Sequence, residues 1–452
     1  MKIIIVGCGR AGETLAEKLN DDGNDVTVID SSADKVKDVT SRLDVMGIVG
    51  NGATHRVQEE AGLATADLFI AVTNSDELNL LCCMIAKKQG NCKTIARVKN
   101  PEYSKEANFL RDTLGMAMVI NPEYAAAEEI ARILRFPSAL KIEPFGKGRV
   151  ELVKFRIGAK SPLIGLSVKD AVIKFKTGVL FCTIERDDEA YIVNGNSVFK
   201  EKDVVSIVAA PKNAKDFFVK IRHKGHSIKD AVIVGGGDIT HYLCEILEKS
   251  NISLKVIEKD NKICEELAGR FNKVHIIHGK PSDRELLLEE GVAKTSAFVA
   301  LTAFDEENIL HSLFAKEVGA EKLITKVDRI GYDSIVSKLG LDTVICPKNI
   351  VANLILRYVR SVNNSQGGAM ENLYSIIQDK VEAAEFIVNE GFPFLSQPLS
   401  TIRFKKDVLV ASIMRGEEVI IPRGYDTIEA GDSIVFVTKG LPLQDITDVI
   451  DK

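Results

Sequence analysis

The sequence predicts an α/β protein built from two similar halves, and three observations support this prediction. Apolar runs of strand length alternate with stretches whose apolar residues recur at helical spacing. A glycine-rich turn directly follows the first strand of each half. Further stretches of the first half recur in the second half in the same order. Each half is expected to contain a Rossmann-like, doubly wound parallel-sheet domain followed by a small α+β lobe, as a tandem duplication.

The composition indicates a folded chain and excludes several classes of function. The 452 residues are 45% hydrophobic and 27% charged, which is ordinary for a protein with several hydrophobic cores. The net charge is −5 and both signs are interspersed, so no basic face predicts nucleic-acid binding. The apolar runs are too short for a membrane-spanning helix, and no signal-peptide pattern precedes the first strand. We therefore expect a cytoplasmic protein whose cysteines are mostly reduced core residues.

The first half opens with KIIIVGCGRAGETLAEKLNDDGNDVTVID, the pattern of a strand, a tight turn, a helix and a second strand. The turn has the G-x-G-x-x-G spacing that lets backbone N–H groups at a helix N-terminus approach a pyrophosphate. An acid ends the second strand, where it can accept hydrogen bonds from ribose hydroxyls and would repel a 2′-phosphate, favouring NAD over NADP. The alternative is a turn that only packs the helix on the sheet. The predicted cofactor-binding residues are Gly7, Cys8, Gly9, Arg10, Ala11, Gly12 and Asp30.

The second half opens with DAVIVGGGDITHYLCEILEKSNISLKVIEKD, which has the same order of elements and an acid at the same interval. Thr240 stands where the third glycine belongs, and its Cβ is expected to crowd the helix against the strand. Asp238 brings a negative charge to the place expected for a phosphate. A vestigial site that no longer binds nucleotide is therefore an open alternative here. The candidate residues are Gly235, Gly236, Gly237, Asp238, Ile239 and Glu258.

The repeat continues beyond these openings. ADLFIAVTNSDELNLLCCMIAK matches SAFVALTAFDEENILHSLFAK, and TIARVKNPEY matches LITKVDRIGY. In this alignment Thr73, Asp76, Glu77 and Asn79 correspond to Thr302, Asp305, Glu306 and Asn308. Farther on, an apolar strand in each half reaches Pro122 or Pro347 and gives way to an amphipathic helix. A duplication explains this agreement better than two chance glycine loops.

Two further positions are candidates for contact with a nucleotide. Arg97 ends a strand at the carboxyl edge of the predicted sheet, where open α/β folds bind ligands, and its guanidinium could pair with phosphates. A surface ion pair is the alternative, and Lys326 occupies the matching position in the second half. Thr73 and Asn74 end the preceding strand and could touch the nucleotide, or could equally cap a helix.

After each Rossmann-like part the pattern changes to short strands with one helix, which predicts a small lobe. Gly195 and Asp203 of the first lobe match Gly424 and Asp432 of the second. Linkers are expected near residues 214–229 and 361–371, where polar residues and glycine cluster. The predicted domains are residues 1–138 and 229–361 for the Rossmann-like parts, and residues 139–222 and 371–452 for the small lobes.

No catalytic or metal-binding set is evident in the sequence. It lacks a G-K-[ST] phosphate loop, a G-x-S-x-G elbow and an H-E-x-x-H pair, so no catalytic residue and no metal ligand is assigned. His223 and His226 lie among basic residues of the first linker and are expected to be solvated. The acid runs at Asp76 and Asp305 are typical of a charged first turn of a helix, with a cation site as the alternative.

These motifs resemble the TrkA family, whose domains are also called RCK or KTN domains. The resemblance covers nearly the whole chain and rests on IIIVGCGRAGETLAEKL with VID, on VTNSDELN, on ARVKNPEY and on the two small lobes. It implies a non-enzymatic, peripheral regulatory subunit that binds NAD or NADH, or else ATP or ADP, and regulates a membrane potassium channel or transporter from the cytoplasmic face. It also implies a homo-oligomer in which the helices after Pro122 and Pro347 cross between lobes.

The resemblance carries over the phosphate loop, Asp30 and Arg97 in the first half, and Glu258 in the second. Thr240 and Lys326 depart from the family pattern, so the first site is expected to be the stronger one. Two alternatives remain at this point. One is an NAD-dependent dehydrogenase or a saccharopine-dehydrogenase-like enzyme, which would use the same first unit. The other is a nucleotide sensor whose partner is not a transporter.

Overall fold

A computed structural model describes the chain at residues 1–136, 139–187, 189–221, 228–328, 339–341, 343–363, 368–377, 380–441, 443 and 445–451. Contacts divide the chain into two compact units, and each unit combines segments from both halves of the sequence. The first unit is Met1–Ala131 with Lys229–Leu356, and the second is Arg132–Ile228 with Arg357–Lys452. The two Rossmann-like parts therefore form one unit and the two small lobes form the other.

The first parallel sheet has six strands in the order β3-β2-β1-β4-β5-β6, with helices in the crossovers. Its central strand β1 is buried along all but its first residue, as the apolar run requires. The strands are β1 (Lys2–Val6), β2 (Asp25–Asp30), β3 (Met46–Val49), β4 (Leu68–Ala71), β5 (Lys93–Arg97) and β6 (Met118–Ile120). The helices are α1 (Arg10–Asp21), α2 (Ala33–Arg42), α3 (His55–Glu60), α4 (Asp76–Gln89), α5 (Pro101–Lys105), α6 (Ala107–Leu114) and α7 (Pro122–Arg135).

The second parallel sheet repeats this order as β14-β13-β12-β15-β16-β17, and the pairing of every neighbouring strand is parallel. Its strands are β12 (Asp230–Val234), β13 (Ser253–Glu258), β14 (Val274–His278), β15 (Ala297–Ala300), β16 (Lys322–Lys326) and β17 (Val344–Ile345). The helices are α10 (Asp238–Leu247), α11 (Asn261–Arg270), α12 (Arg284–Glu289), α13 (Asp305–Val318) and α14 (Pro347–Asn363). The strand order reverses beside β1 and β12, so the crevice at the carboxyl ends of these strands is where such a sheet binds ligands.

Each small lobe is a five-stranded antiparallel sheet. The first lobe contains β7 (Lys141–Phe145), β8 (Val150–Arg156), α8 (Val168–Phe175), β9 (Leu180–Arg186), β10 (Glu189–Ile192), β11 (Val204–Ala209) and α9 (Pro211–Lys220). The second contains β18 (Gly368–Ile377), β19 (Val381–Val388), β20 (Val408–Arg415), β21 (Glu418–Ile420) and β22 (Ser433–Lys439). The first lobe thus has one helix more than the sequence pattern suggested, whereas the described part of the second has only 3-10 turns. The predicted fold class, with its tandem duplication, is confirmed.

The lobes also repeat one ion pair, in which a partly exposed arginine binds a buried carboxylate. Arg186 makes two parallel hydrogen bonds of 2.7 Å to the carboxylate of Asp203, which is 1% exposed. Arg415 binds Asp432 in the same forked manner at 2.9 and 2.8 Å. Each guanidinium also donates to a backbone carbonyl twelve residues from it. Asp203 and Asp432, which match in the sequence, therefore have the same structural role: each binds an arginine side chain within its lobe.

The first linker prediction was wrong for its first part. Residues 214–220 belong to α9, because Phe217 and Phe218 are buried in the core of the first lobe. His223 and His226 lie outside the described residues. The second linker prediction was wrong at both of its ends, because α14 extends to Asn363 and β18 begins at Gly368. Both amphipathic helices predicted after proline are present, and the division between the two units falls within each of them, after Ala131 in α7 and after Leu356 in α14.

Candidate functional site

The first loop, residues 7–12, joins β1 to α1 and depends on glycine at two positions. Gly7 has a φ of +106°, and a Cβ there would lie 3.1 Å from the backbone nitrogen of Thr73. A Cβ on Gly12 would lie only 1.8 Å from the carbonyl oxygen of Gly7. Gly9 differs, because a Cβ added there meets nothing within 4 Å, and this residue is the N-cap of α1. The loop is therefore closely packed behind and open in front, as the predicted anion site requires.

Asp30 braces this loop. One carboxylate oxygen accepts the backbone N–H of Cys8 at 2.8 Å, and the other accepts that of Ser32 at 2.9 Å. Burial and the nearby charge of Asp30 raise the pKa of the Cys8 thiol to about 12, so the thiol is neutral at physiological pH. Each carboxylate oxygen keeps a second lone pair, so bracing the loop is compatible with accepting a further hydroxyl.

The second loop, residues 235–240, has the same frame. Gly235 has a φ of +99°, and Gly237 is the N-cap of α10 with open space around its Cβ position. Glu258 accepts the N–H of Gly236 at 2.6 Å and that of Asp260 at 2.8 Å. The Thr240 hydroxyl donates to the carbonyl oxygen of Gly235 at 2.5 Å. The loop therefore accommodates a side chain at the third position, where Thr240 forms a hydrogen bond, and its frame is the same as that of the first loop.

Both loops open into one cleft of about 830 Å³ within the first unit. This volume lies in the range typical of pockets that hold small-molecule ligands and cofactors. The predicted residues that line it are Cys8, Gly9, Arg10, Ala11, Asn74, Arg97, Gly235, Gly236, Gly237, Asp238, Ile239 and Glu258. The other predicted residues, Gly7, Gly12, Asp30 and Thr73, are not among the lining residues and shape the loop or its neighbours.

Thr73 follows strand β4 and is hydrogen-bonded to helix α4. The side-chain oxygen of Asn79 accepts the Thr73 N–H at 2.8 Å, and its amide donates to the carbonyl of Arg97 at 2.9 Å. Asn308 makes the equivalent pair of bonds to Thr302 and Lys326 at 2.8 and 3.1 Å. The cap of α4 is Ser75, one residue beyond the predicted pair. These buried amides explain why asparagine recurs at this position in both halves.

The acid runs begin helices, as their pattern indicated. Asp76 is 5% exposed and accepts the N–H groups of Lys99 and Asn100 at 3.0 and 2.8 Å. Asp305, 4% exposed, accepts the N–H of Asp328 at 2.9 Å. Each acid therefore fixes the chain just beyond the strand that ends in Arg97 or Lys326. In the described residues no group of three His, Cys, Asp or Glu side chains is arranged to hold a metal ion.

Arg97 lies in the cleft wall and pairs with Glu123, with 2.7 Å between guanidinium nitrogen and carboxylate oxygen. In the second half, Lys326 pairs with Asp328 at 3.0 Å, and Lys348 donates to the Asp328 carbonyl at 2.8 Å. Burial lowers the pKa of Lys348. Sequence reasoning missed Glu123 and Lys348, although each directly follows the proline that starts the helix in its half.

The cleft lining is electrically mixed. Six basic and six acidic side chains line it, so no single sign dominates. The charge is reversed at two pairs of matched lining positions: Arg10 begins α1 whereas Asp238 begins α10, and Glu123 follows Pro122 whereas Lys348 follows Pro347. An anion at a helix N-terminus is stabilised by the helix dipole, and the arginine adds to that field while the aspartate opposes it. The residue that begins the helix thus favours an anion at the first loop and disfavours one at the second.

A sheet in the order 3-2-1-4-5-6 with a glycine-rich loop after its first strand defines the Rossmann class of α/β proteins, here present twice in one chain. The TrkA-N domain matches residues 3–122 and 231–347, and the TrkA-C domain matches residues 152–221 and 383–449. The chain belongs to the TrkA family, which confirms the resemblance found in the sequence.

Relatives match over nearly the whole length. The Trk system potassium uptake protein TrkA homolog 1 of Methanosarcina mazei is 33% identical over 447 residues, covering 96% of both chains. The Trk system potassium uptake protein TrkA of Halomonas elongata is 31% identical over 455 residues, covering 99% of this chain and 98% of its own. The solved structure of the GsuK channel bound to NAD superposes with a TM-score of 0.64 at 14% identity, covering 97% of this chain and 76% of that one, and supports the fold. Within the described part of the chain, no helix has the length and hydropathy needed to span a bilayer.

Proposed function

We propose that this chain is a nucleotide-sensing regulatory subunit of a potassium uptake system, and not an enzyme. The observation that carries the proposal is the shared cleft: two glycine-rich loops, each braced by a carboxylate, open into it from the two Rossmann domains. The full-length relatives are potassium uptake proteins by name. The part of the cleft that the structure describes is lined by neither histidine nor tyrosine, two common proton donors in dehydrogenases.

The ligand proposed for the cleft is NAD or NADH, with ATP or ADP as the alternative. The residues fit such a group: the open space at Gly9 and the free backbone N–H groups that begin α1 suit a pyrophosphate. Asp30 would accept a ribose hydroxyl, and Arg97 and Arg10 would face phosphate oxygens. In the second half Glu258 would accept a ribose hydroxyl, and the open space at Gly237 would hold the phosphate. The GsuK channel, which has a related fold, was solved bound to NAD and also bound to ADP, which supports both candidate ligands here.

Two helices would transmit the effect of nucleotide binding from the cleft to the second unit. Pro122 and Glu123 at the start of α7, and Pro347 and Lys348 at the start of α14, line the cleft. Each helix ends in the second unit. A nucleotide that binds one arrangement of these helices more tightly than another shifts the population toward it, by no more than its difference in affinity. We propose that the responding partner is a membrane potassium channel or transporter subunit, regulated from the cytoplasmic face by a homo-oligomer of this chain.

Calorimetric titration of the full chain with NAD, NADH, ATP and ADP tests this function. Asp30→Ala and Glu258→Ala are poor variants for this purpose, because each would remove the brace of its loop together with any ribose contact. Gly9→Asp and Gly237→Asp are sharper. Each puts a carboxylate into open space at the mouth of one loop, and aspartate is a favourable N-cap, so the helix is retained.

Each variant is expected to abolish one binding step and keep the other, and the double variant to bind nothing. Potassium uptake in cells that depend on this chain should then lose its response to the bound nucleotide. If the intact chain binds none of the four nucleotides at millimolar concentration, the sensing function is wrong. If nucleotide binds but uptake is unchanged by either variant, the partner is not a potassium transporter.

A further inference from the structure

Tyr242 of α10 joins the second Rossmann domain to the first. Its side chain is 2% exposed, and its hydroxyl donates to the Lys99 carbonyl at 2.8 Å while accepting from the Asn121 amide at 2.9 Å. Its ring stacks edge-on against Tyr124, with 5.4 Å between centroids. Burial raises the pKa of Tyr242 to about 12, so the hydroxyl stays protonated and keeps both bonds at neutral pH.

On its own side, Tyr242 is tied to the second loop. It lies four residues after Asp238, the first residue of α10, and one helical turn is about four residues. Gly237, the N-cap of this helix, lines the cleft together with Asp238. A helix moves as a rigid body over such a distance, so a shift of the loop on ligand binding displaces the tyrosine hydroxyl.

On the other side, the hydroxyl reaches the wall of the first site. Asn121 immediately precedes α7, and its side-chain oxygen accepts the N–H of Tyr124 in the first turn of that helix. Glu123, in the same turn, pairs with Arg97 in the cleft wall. Lys99, whose carbonyl accepts the hydrogen bond from the Tyr242 hydroxyl, follows Arg97 by two residues. Both hydrogen bonds of Tyr242 therefore end within two residues of the Arg97–Glu123 pair.

The two matching helices, α1 and α10, contact the other domain through different residues. The position in α1 that matches Tyr242 is Thr14, whose hydroxyl donates to the Arg10 carbonyl within its own helix at 3.0 Å. Helix α1 instead contacts the second domain through Lys18, whose ammonium group donates to the side-chain oxygen of Asn353 at 2.7 Å. The hydroxyl contact of Tyr242 is therefore not repeated at the matching position of α1.

We infer that Tyr242 is a positioning residue that couples the two nucleotide sites, so that a ligand on the second loop changes the affinity of the first through Asn121 and the start of α7. The inference rests on the proposed function, because it needs both loops to bind nucleotide. Coupling of this kind is reciprocal, so a ligand at the first site changes the affinity of the second by the same factor.

The test is a thermodynamic cycle on the full chain with NADH and, separately, ADP as probes. Gly237→Asp gives the affinity of the first site alone, and Gly9→Asp gives that of the second alone. Dividing the overall two-site constant of the parent chain by the product of these single-site constants gives the coupling factor. The same three measurements are repeated with Tyr242→Phe added. Tyr191→Phe is the matched control, because it removes the hydroxyl of a 47%-exposed tyrosine in the other unit.

We expect a coupling factor at least about fivefold away from one in the parent chain and in Tyr191→Phe. In Tyr242→Phe the factor should fall to within about twofold of one, while the single-site affinities change little. The variant should stay folded, because the Lys99 carbonyl also accepts a hydrogen bond from the Asn121 amide at 3.3 Å, which the substitution does not remove.

Two results overturn the inference while leaving the proposed function intact. One is two bound nucleotides with a coupling factor of one in the parent chain. The other is a Tyr242→Phe chain that keeps the parent's factor, or that loses affinity equally at each isolated site, as a merely structural role would predict. Binding of no nucleotide at all is a different outcome, since it contradicts the proposed function itself.

Discussion

The first loop and the second loop share a backbone and differ in the side chains placed on it. Both begin with a glycine at positive φ, both have an open glycine N-cap, and both are braced by a carboxylate from the end of the next strand. They differ at the third glycine, now Thr240, and at the first helical residue, where aspartate replaces arginine. The buried Thr240 changes how the loop is packed, whereas the residue that begins the helix lines the cleft and changes what a ligand would meet. The two loops are expected to fold alike and to bind differently.

The largest expected difference concerns the third position. Gly12→Ala puts a Cβ at 1.8 Å from the Gly7 carbonyl oxygen, an overlap that only displacement of the loop can relieve, at a cost of about 3 kcal/mol. We expect the first site to lose nucleotide binding and the thermal midpoint of the chain to fall. Calorimetry should then show one binding step where the parent chain shows two.

Thr240→Ala is the matched change in the second loop. It removes one hydrogen bond, to the Gly235 carbonyl, and should cost about 1 kcal/mol, with the second binding step retained. Equal damage from the two alanines would contradict the idea that the second loop has adapted to a side chain at this position.

The next difference is the charge at the start of the helix. Arg10→Asp should weaken the first site for ADP by about 2 kcal/mol, roughly thirtyfold, because two units of charge change beside the phosphates at about 1 kcal/mol each. Asp238→Arg should strengthen the second site by a similar amount. Both changes should shrink at high salt. Titration at two salt concentrations checks this, and a salt-independent effect would mean that the substitutions act through loop shape instead of charge.

The features that sequence reasoning predicted well are those with a local signature. Strand order, loop glycines and the terminal acids follow from periodicity and spacing over about thirty residues. The shared cleft does not, because it brings Arg10 near Lys348 across most of the chain, and no local pattern records that proximity. The bracing roles of Asp30 and Glu258 were also hidden, since an acid at a strand end looks the same whether it holds a loop or a ribose.

The first linker also shows that a local pattern does not reveal long-range packing. The linker was predicted from the lysine, histidine and glycine residues of the whole stretch 214–229, yet its first part, AKDFFVK, belongs to a helix whose Phe217 and Phe218 pack in the core of the first lobe. Burial of these two aromatic side chains stabilises the helix on the lobe. Averaging composition over the stretch therefore placed the start of the linker too early.

The smallest expected difference lies between the two braces. Glu258→Gln replaces a carboxylate that accepts two backbone N–H groups with an amide that has only one accepting oxygen, so an N–H group of the amide must face the N–H of Gly236 or Asp260. At 8% exposure this conflict should cost about 2 kcal/mol. Asp30→Asn creates the same conflict with Cys8 and Ser32, but water reaches its half-buried side chain, so about 1 kcal/mol is expected. Denaturant titration of the two variants measures which one loses more free energy of unfolding. A larger loss for Asp30→Asn would show that the unit depends more on the first brace than on the second.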